Sequence, residues 1–401
     1  LKIETKLNDS NDEMLCRDGG RTVRAQTVAL IANQAFSLTN FRGPLIRDMV
    51  ARGHHVVALA PDFDAHSRAA LRALGAEPVD YPLARTGMNP FQDMKALIAL
   101  RRALKRIRPD VSLAYFIKPV IYGTLAAAWA GVPRRMALIA GLGFAFTDDG
   151  QPLNVKRRFL RSAVSALYRL ALNRAHRVLL QNPDDIREFT RRGLVALDKA
   201  MCIGGTGVDL TEWPVAPLLR LPEFPITFAL TARLLREKGV LEYVAAARII
   251  KARHPNTRFL LLGGLDENPG ALSGAEVQAW VAEGIVEWPG HVPVRDWLAQ
   301  AHVYVLPSFY REGVPRSTQE AMAMGRPVIT TDAPGCRETV VDGVNGFLVP
   351  PRDVEALVGA MQRFIREPGL IARMGAESHR LAEDWFDVRR INAAMMREMG
   401  L

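Results

Sequence analysis

From residue 27 onward, apolar runs of strand length alternate with stretches of helical periodicity, and the alternation occurs twice along the chain. Residues 27–32, 55–60, 111–116, 136–139 and 178–181 read as strands of a first series, with helices over 43–52, 90–107 and 121–130. A second series runs 226–230, 258–262, 303–307, 327–331 and 346–349, with helices over 241–252, 274–284 and from about Pro315. Strands alternating with helices in sequence form parallel sheets covered by helices, so the pattern predicts an α/β fold. Between the two series the chain turns proline-rich, at Pro214, Pro217, Pro222 and Pro225.

A chain of 401 residues also exceeds what one hydrophobic core usually organises. The expected division is an extension over 1–25, a first Rossmann-like domain over 26–213, a linker over 214–225 and a second Rossmann-like domain over 226–380. Residues 381–401 close a helical stretch that begins at Val354 and are expected to pack back on the first domain. Two doubly wound domains facing each other form a cleft, and ligands sit at the carboxyl ends of such strands.

Cys16, Cys202 and Cys336 lie too far apart for a disulfide framework or zinc spacing, which fits a reducing cytosol. No window reaches the roughly 18 uninterrupted apolar residues of a spanning helix. Residues 1–25 are polar and lack the apolar core of a signal peptide. Charge is lopsided: residues 1–210 carry 31 Lys and Arg against 19 Asp and Glu, the remainder 21 against 23. A basic first half suits nucleic acid, an anionic leaflet or a diphosphate acceptor, or reflects only an arginine-rich surface. The absence of an aromatic–basic stacking motif argues against nucleic acid. Within 155–178, seven cations interleave with Phe159, Leu160, Val164, Leu167, Leu170 and Leu172. That stretch fits a basic amphipathic helix on a membrane surface or a core helix with a charged outer side.

The most informative segment runs from Ser308 to Ile329 and holds Glu312-Gly313-Val314-Pro315 and, eight residues after the first acid, Glu320. Pro315 suits a first helical turn, Gly313 admits close backbone approach to a ligand, and free amides at a helix start hold anions or hydroxyls. A second segment, from Thr231 to Gly239, places Arg233 and Lys238 just past a strand, where fixed cations suit a diphosphate. Gly263 ends another strand and Val292 follows a turn, positions that fit room for a nucleotide or plain turn chemistry. Asp62 and Asp64 look like a metal-holding acid pair, but sit just past the second strand of the first series, in the other half of the chain from the two segments above, and read as a polar loop.

The two acids with their Gly-Val-Pro resemble the signature of the retaining family 4 glycosyltransferases of the GT-B fold. The resemblance implies that Glu312, Gly313, Val314 and Pro315 contact a donor sugar and that Glu320 holds the ribose. It also implies that Arg233 and Lys238 neutralise the leaving diphosphate, with no metal required. Gly263 and Val292 then edge the nucleotide. Loops of the first half, including 33–43, 115–123, 141–147, 181–185 and 205–209, resemble the branch that extends lipid-linked sugars in bacterial glycan assembly. That branch implies a UDP-sugar donor, with N-acetylhexosamine the expected sugar, and a polyprenyl-diphosphate-sugar acceptor at the cytoplasmic face of the inner membrane. Asn40, Arg42, Lys118 and Gly143 are the acceptor-side candidates, with Arg42 and Lys118 gripping its diphosphate. Many relatives place a His in this part of the first domain, whereas this chain has Gly141-Leu142-Gly143. The departing diphosphate is then expected to take the acceptor proton itself. A sugar-nucleotide epimerase of the same fold, which needs no acceptor, and a GDP- or ADP-sugar transferase acting on another acceptor are the rival readings.

Overall fold

The computed structural model describes residues 24–84, 89–142, 155–221, 223–266, 268 and 270–401. The first series comprises β1 (Thr27–Ile31), β2 (His55–Ala60), β3 (Glu77–Asp80), β4 (Val111–Tyr115), β5 (Arg134–Ile139), β6 (Arg177–Leu180) and β7 (Ala200–Cys202). The second comprises β8 (Ile226–Thr231), β9 (Thr257–Leu262), β10 (Glu287–Gly290), β11 (Val303–Leu306), β12 (Val328–Thr331) and β13 (Gly346–Val349). They form two separate parallel sheets, ordered β3-β2-β1-β4-β5-β6-β7 and β10-β9-β8-β11-β12-β13. This is the doubly wound, two-domain architecture that the alternating pattern predicts.

Three strands escaped the sequence pattern: β3, β7 and β10. Each is a sheet edge. Edge strands tolerate proline and charge, as in Glu77-Pro78-Val79-Asp80 and Glu287-Trp288-Pro289-Gly290, and so lack the continuous apolar run of a central strand. Central strands are buried on both faces. Val28, Leu30, Val56 and Ala58 pack into one layer, while Ala29, Ile31, Val57 and Leu59 pack into the other. The helix expected over 121–130 starts earlier, as a π-turn over Pro119–Gly123 that runs into Thr124–Ala130. Pro315 is the N-cap of helix Arg316–Ala323 rather than its first residue.

The C-terminal stretch divides into helices Val354–Arg366, Gly369–Phe386 and Val388–Met399. The last belongs to the first sheet's core, where Ile391, Met395, Met396 and Met399 are buried. Asn392 donates to Asp48 at 2.7 Å, and the Met399 carbonyl accepts from Arg134 at 2.7 Å. The proline-rich segment is tied to the second domain: the buried Arg326 donates to the Ala216 carbonyl at 2.9 Å. In helix Val155–Leu172, Val164, Tyr168, Ala171 and Leu172 face the core. Arg169 donates to the Gly193 and Arg192 carbonyls, at 3.0 and 2.9 Å. Its second half is therefore a core-facing helix; the side chains of 155–157, 159 and 160 lie outside the described residues. Among the described residues, no helix is long and apolar enough to cross a membrane.

Candidate active site

In both sheets the strand order reverses beside the first strand, between β1 and β4 and between β8 and β11. Successive connections leave such a point in opposite directions and open a crevice at the strand ends. The two crevices face each other, and the loops after β1, β4, β8 and β11 line three cavities of about 730, 170 and 540 Å3 between the domains.

Glu312 stands at the centre, buried at 9% exposure. Its Oε1 accepts from Lys238 Nζ and, at 3.1 Å, from Ser308 Oγ. Lys238 ends the short turn Arg236–Lys238 after β8, and its ammonium lies 5.4 Å from the Tyr310 ring centroid. The two segments singled out in the sequence thus meet in one ion pair. Arg233 is half-exposed, pairs with Asp266 at 3.0 Å, and lines the 540 Å3 cavity together with Glu312 and Lys118. Burial alone would raise the Asp266 carboxyl; the Asn268 amide and Arg233 hold it below its ordinary value.

Glu320 lines the 730 Å3 cavity with Val292 and Asn40. Burial pushes its carboxyl up, against the pull of Arg316, whose Nε donates to it at 2.8 Å. Arg316 also donates to the Asn40 carbonyl and lies over the Phe41 ring, so it links Glu320 to the first domain.

The other candidates divide between the cleft and positions outside it. Gly263 lines none of the three cavities; at φ +146 its missing Cβ leaves room for the Ala232 carbonyl, so this glycine serves strand packing. Lys118 is bound by Asp93 at 2.9 Å, and Tyr122 donates to the same carboxylate at 3.0 Å. Arg42 is buried and lines the 170 Å3 cavity beside Lys238. Gly143 lies outside the described residues. Asp62 accepts from the Ala35 amide at 2.6 Å, and Asp64 caps helix Ala65–Ala73 in a capping box, which accounts for both carboxylates.

A clasp between the domains was not assigned from the sequence. Asn182, fully buried after β6, donates to the Gly313 carbonyl at 2.7 Å, and Gln181 accepts from the Val314 amide at 3.1 Å. Gln319 accepts from the Gly207 amide at 3.0 Å and donates to the Val314 carbonyl at 3.1 Å. Gly141 forms a β-bridge with Glu312. The only sequence signal is Asn182-Pro183, which reads as an ordinary helix cap; the partners lie more than a hundred residues away. Beneath the clasp, burial pushes Asp185 up to about 7 despite Arg311, 3.2 Å away. With the folded pKa above the unfolded one, the native state binds the extra proton, so stability falls as pH rises from about 4 to 7. Asp185→Asn is expected to flatten that slope in melting temperatures taken from pH 4 to 8.

Two doubly wound domains meeting across such a cleft form a GT-B glycosyltransferase architecture. Residues 41–201 match the glycosyl transferase 4-like domain and residues 225–367 the glycosyl transferases group 1 model, and the chain belongs to this glycosyltransferase family. It is 29% identical, over 82% of its length and 87% of the relative's, to the N,N'-diacetylbacillosaminyl-diphospho-undecaprenol alpha-1,3-N-acetylgalactosaminyltransferase of Campylobacter jejuni. It is 25% identical to the UDP-Gal:alpha-D-GlcNAc-diphosphoundecaprenol alpha-1,3-galactosyltransferase of Escherichia coli, over 70% of this chain and 73% of that one. In fold it resembles a glycosyltransferase from Rickettsia africae, with a TM-score of 0.75 at 16% identity, covering 94% of this chain and 98% of that one.

Proposed function

We propose that the protein is a retaining transferase that moves a sugar, N-acetylhexosamine by preference, from UDP to a sugar carried on a polyprenyl diphosphate, without a metal. The Lys238–Glu312 pair carries this reading, because it sets a cation for phosphate and a carboxylate for sugar hydroxyls at one point of the cleft. The two relatives named for diphospho-undecaprenol acceptors support the acceptor class, and the E. coli one is named for UDP-Gal.

In the proposed reaction the acceptor hydroxyl bonds to the anomeric carbon as the bond from that carbon to the phosphate oxygen breaks. The bonding pair leaves with the diphosphate, and the hydroxyl proton passes to a diphosphate oxygen. Arg233 and Lys238 stabilise the charge that develops there, while Glu312 and the Gly313 and Val314 backbone orient the sugar. Glu320 takes the ribose hydroxyls, with Arg316 yielding its place. The test is UDP release from a panel of UDP-sugars, with and without a polyprenyl-diphosphate-sugar. Acceptor-dependent release with one N-acetylhexosamine donor supports the proposal. Conversion of a UDP-sugar without acceptor makes the protein an epimerase, and silence with every UDP-sugar moves the donor to GDP or ADP.

The proposed membrane contact rests on helix Pro90–Ile107 rather than on Val155–Leu172. Phe91, Met94 and Ile98 are 88%, 50% and 41% exposed on one face, and the exposed Lys95, Arg101, Arg102 and Lys105 continue it. An apolar stripe with a basic continuation matches an anionic leaflet, worth about 1 kcal/mol per cation near the surface. Asp93, on the buried face of the same helix, holds Lys118, which lines the 540 Å3 cavity, so the first turn of this helix lies near the cleft. Phe91→Glu with Met94→Glu is expected to lower partition onto anionic vesicles at least tenfold in flotation, with UDP binding unchanged.

A further inference from the structure

Arg42 precedes helix Gly43–Ala51 and is only 2% exposed. Its guanidinium lies over the Tyr115 ring, 5.3 Å from the centroid. Its Nε is buried without a hydrogen-bond partner, and among the described residues no carboxylate pairs with it. Burial lowers its pKa to about 10; Tyr115 opposes the shift and Arg316 adds to it.

A buried cation without a counter-ion is costly, so its retention needs a reason. The other cations of the cleft are already neutralised: Lys238 by Glu312, Arg316 by Glu320, Arg233 by Asp266 and Lys118 by Asp93. Arg42 is left with an uncancelled charge. It lines the 170 Å3 cavity opposite Lys238, Gly313 and the first residues of helix Arg316–Ala323. Free amides at a helix start favour the same sign of ligand.

We infer that Arg42 is a third catalytic cation for the donor diphosphate, reaching from the first domain to the group that Lys238 holds from the second. The inference rests on the donor reading above. As the bond from the anomeric carbon to oxygen breaks, the diphosphate gains one negative charge, and Arg42 supplies the positive charge that the resting cleft has not cancelled. The bound diphosphate also bridges the two domains, since its cations come from both.

The experiment compares wild type, Arg42→Lys and Arg42→Met, measuring melting temperature without ligand and calorimetric binding of UDP, uridine and inorganic diphosphate. Methionine fills similar space without charge, so the ligand-free variant is expected to melt at the wild-type temperature or above. UDP affinity should fall about 10- to 100-fold, the range for a charged hydrogen bond, with uridine unaffected and Arg42→Lys intermediate. A UDP affinity within twofold of wild type overturns the inference, as does a ligand-free melting point several degrees lower, which makes Arg42 structural. Wild-type UDP affinity with a raised KM for the polyprenyl-diphosphate acceptor also overturns it, assigning the residue to the acceptor. Should wild type bind inorganic diphosphate through Arg42 but not UDP, the uridine donor fails and the inference stands.

Discussion

Lys238→Ala is expected to lower kcat/KM for sugar transfer by about 100- to 1,000-fold, as removal of one preorganised donor from developing charge does elsewhere. Lys238 is fixed by its bond to Glu312 and by the Tyr310 ring, so in the proposed reaction it costs little to organise as the diphosphate departs. Its loss has a second consequence: among the described residues, Glu312 Oε1 keeps only Ser308 Oγ as a partner, in a largely buried setting. Stability should therefore fall by about 1–3 kcal/mol, the cost of a buried group left short of partners. Adding Glu312→Gln to Lys238→Ala separates the two effects. Melting temperature should recover in the double variant while activity stays low. Near-normal turnover in Lys238→Ala would remove the diphosphate role from this lysine.

Gly141→Ala should be nearly as damaging, although Gly141 bears no side chain to lose. Its φ is +103, and a Cβ there would stand 2.6 Å from the Gly313 amide nitrogen and 2.8 Å from the Arg311 carbonyl. Both are backbone atoms of the loop that carries Glu312, so no rotamer change relieves the overlap. The loop must move away, breaking the bond of 3.1 Å between the Leu142 amide and the Arg311 carbonyl. A shift of about 1 Å at a reacting centre is enough for a 100-fold loss. The strained backbone adds about 1–3 kcal/mol of instability. The checks are steady-state transfer and thermal melting. Wild-type activity with an unchanged melting point would mean that the Gly141–Glu312 seam is not held during turnover.

Much of the fold was legible because central parallel strands are buried on both faces and so declare themselves as apolar runs, as 55–60 and 226–230 do. Edge strands β3, β7 and β10 were not, since one side of each needs no partner and the sequence there is free to carry Pro78, Glu77 or Pro289. The site was legible where chemistry is local. Glu312 and Glu320 share a loop and helix, and Arg233 and Lys238 share the connection after β8, so their types and spacing suffice to single them out as candidates. A glycine at a strand end has two uses, and at Gly263 the neighbouring Ala232 carbonyl, which a Cβ would overlap, accounts for the residue without a ligand.

What the sequence determined by itself is the set of short-range facts: two doubly wound sheets, a break between them, and two charged segments just past strand ends. Each follows from periodicity or from residue types within a few positions. Tertiary structure alone decided which charges cancel. Lys238 meets Glu312 across 74 positions, Asn182 meets Gly313 across 131, and Asn392 meets Asp48 across 344. Electrostatic partnership depends on distance and burial in space, which chain spacing does not encode. For the same reason Lys118 and Arg42, two basic residues of the first domain, end as opposites: one paired with Asp93, the other buried with no carboxylate partner among the described residues.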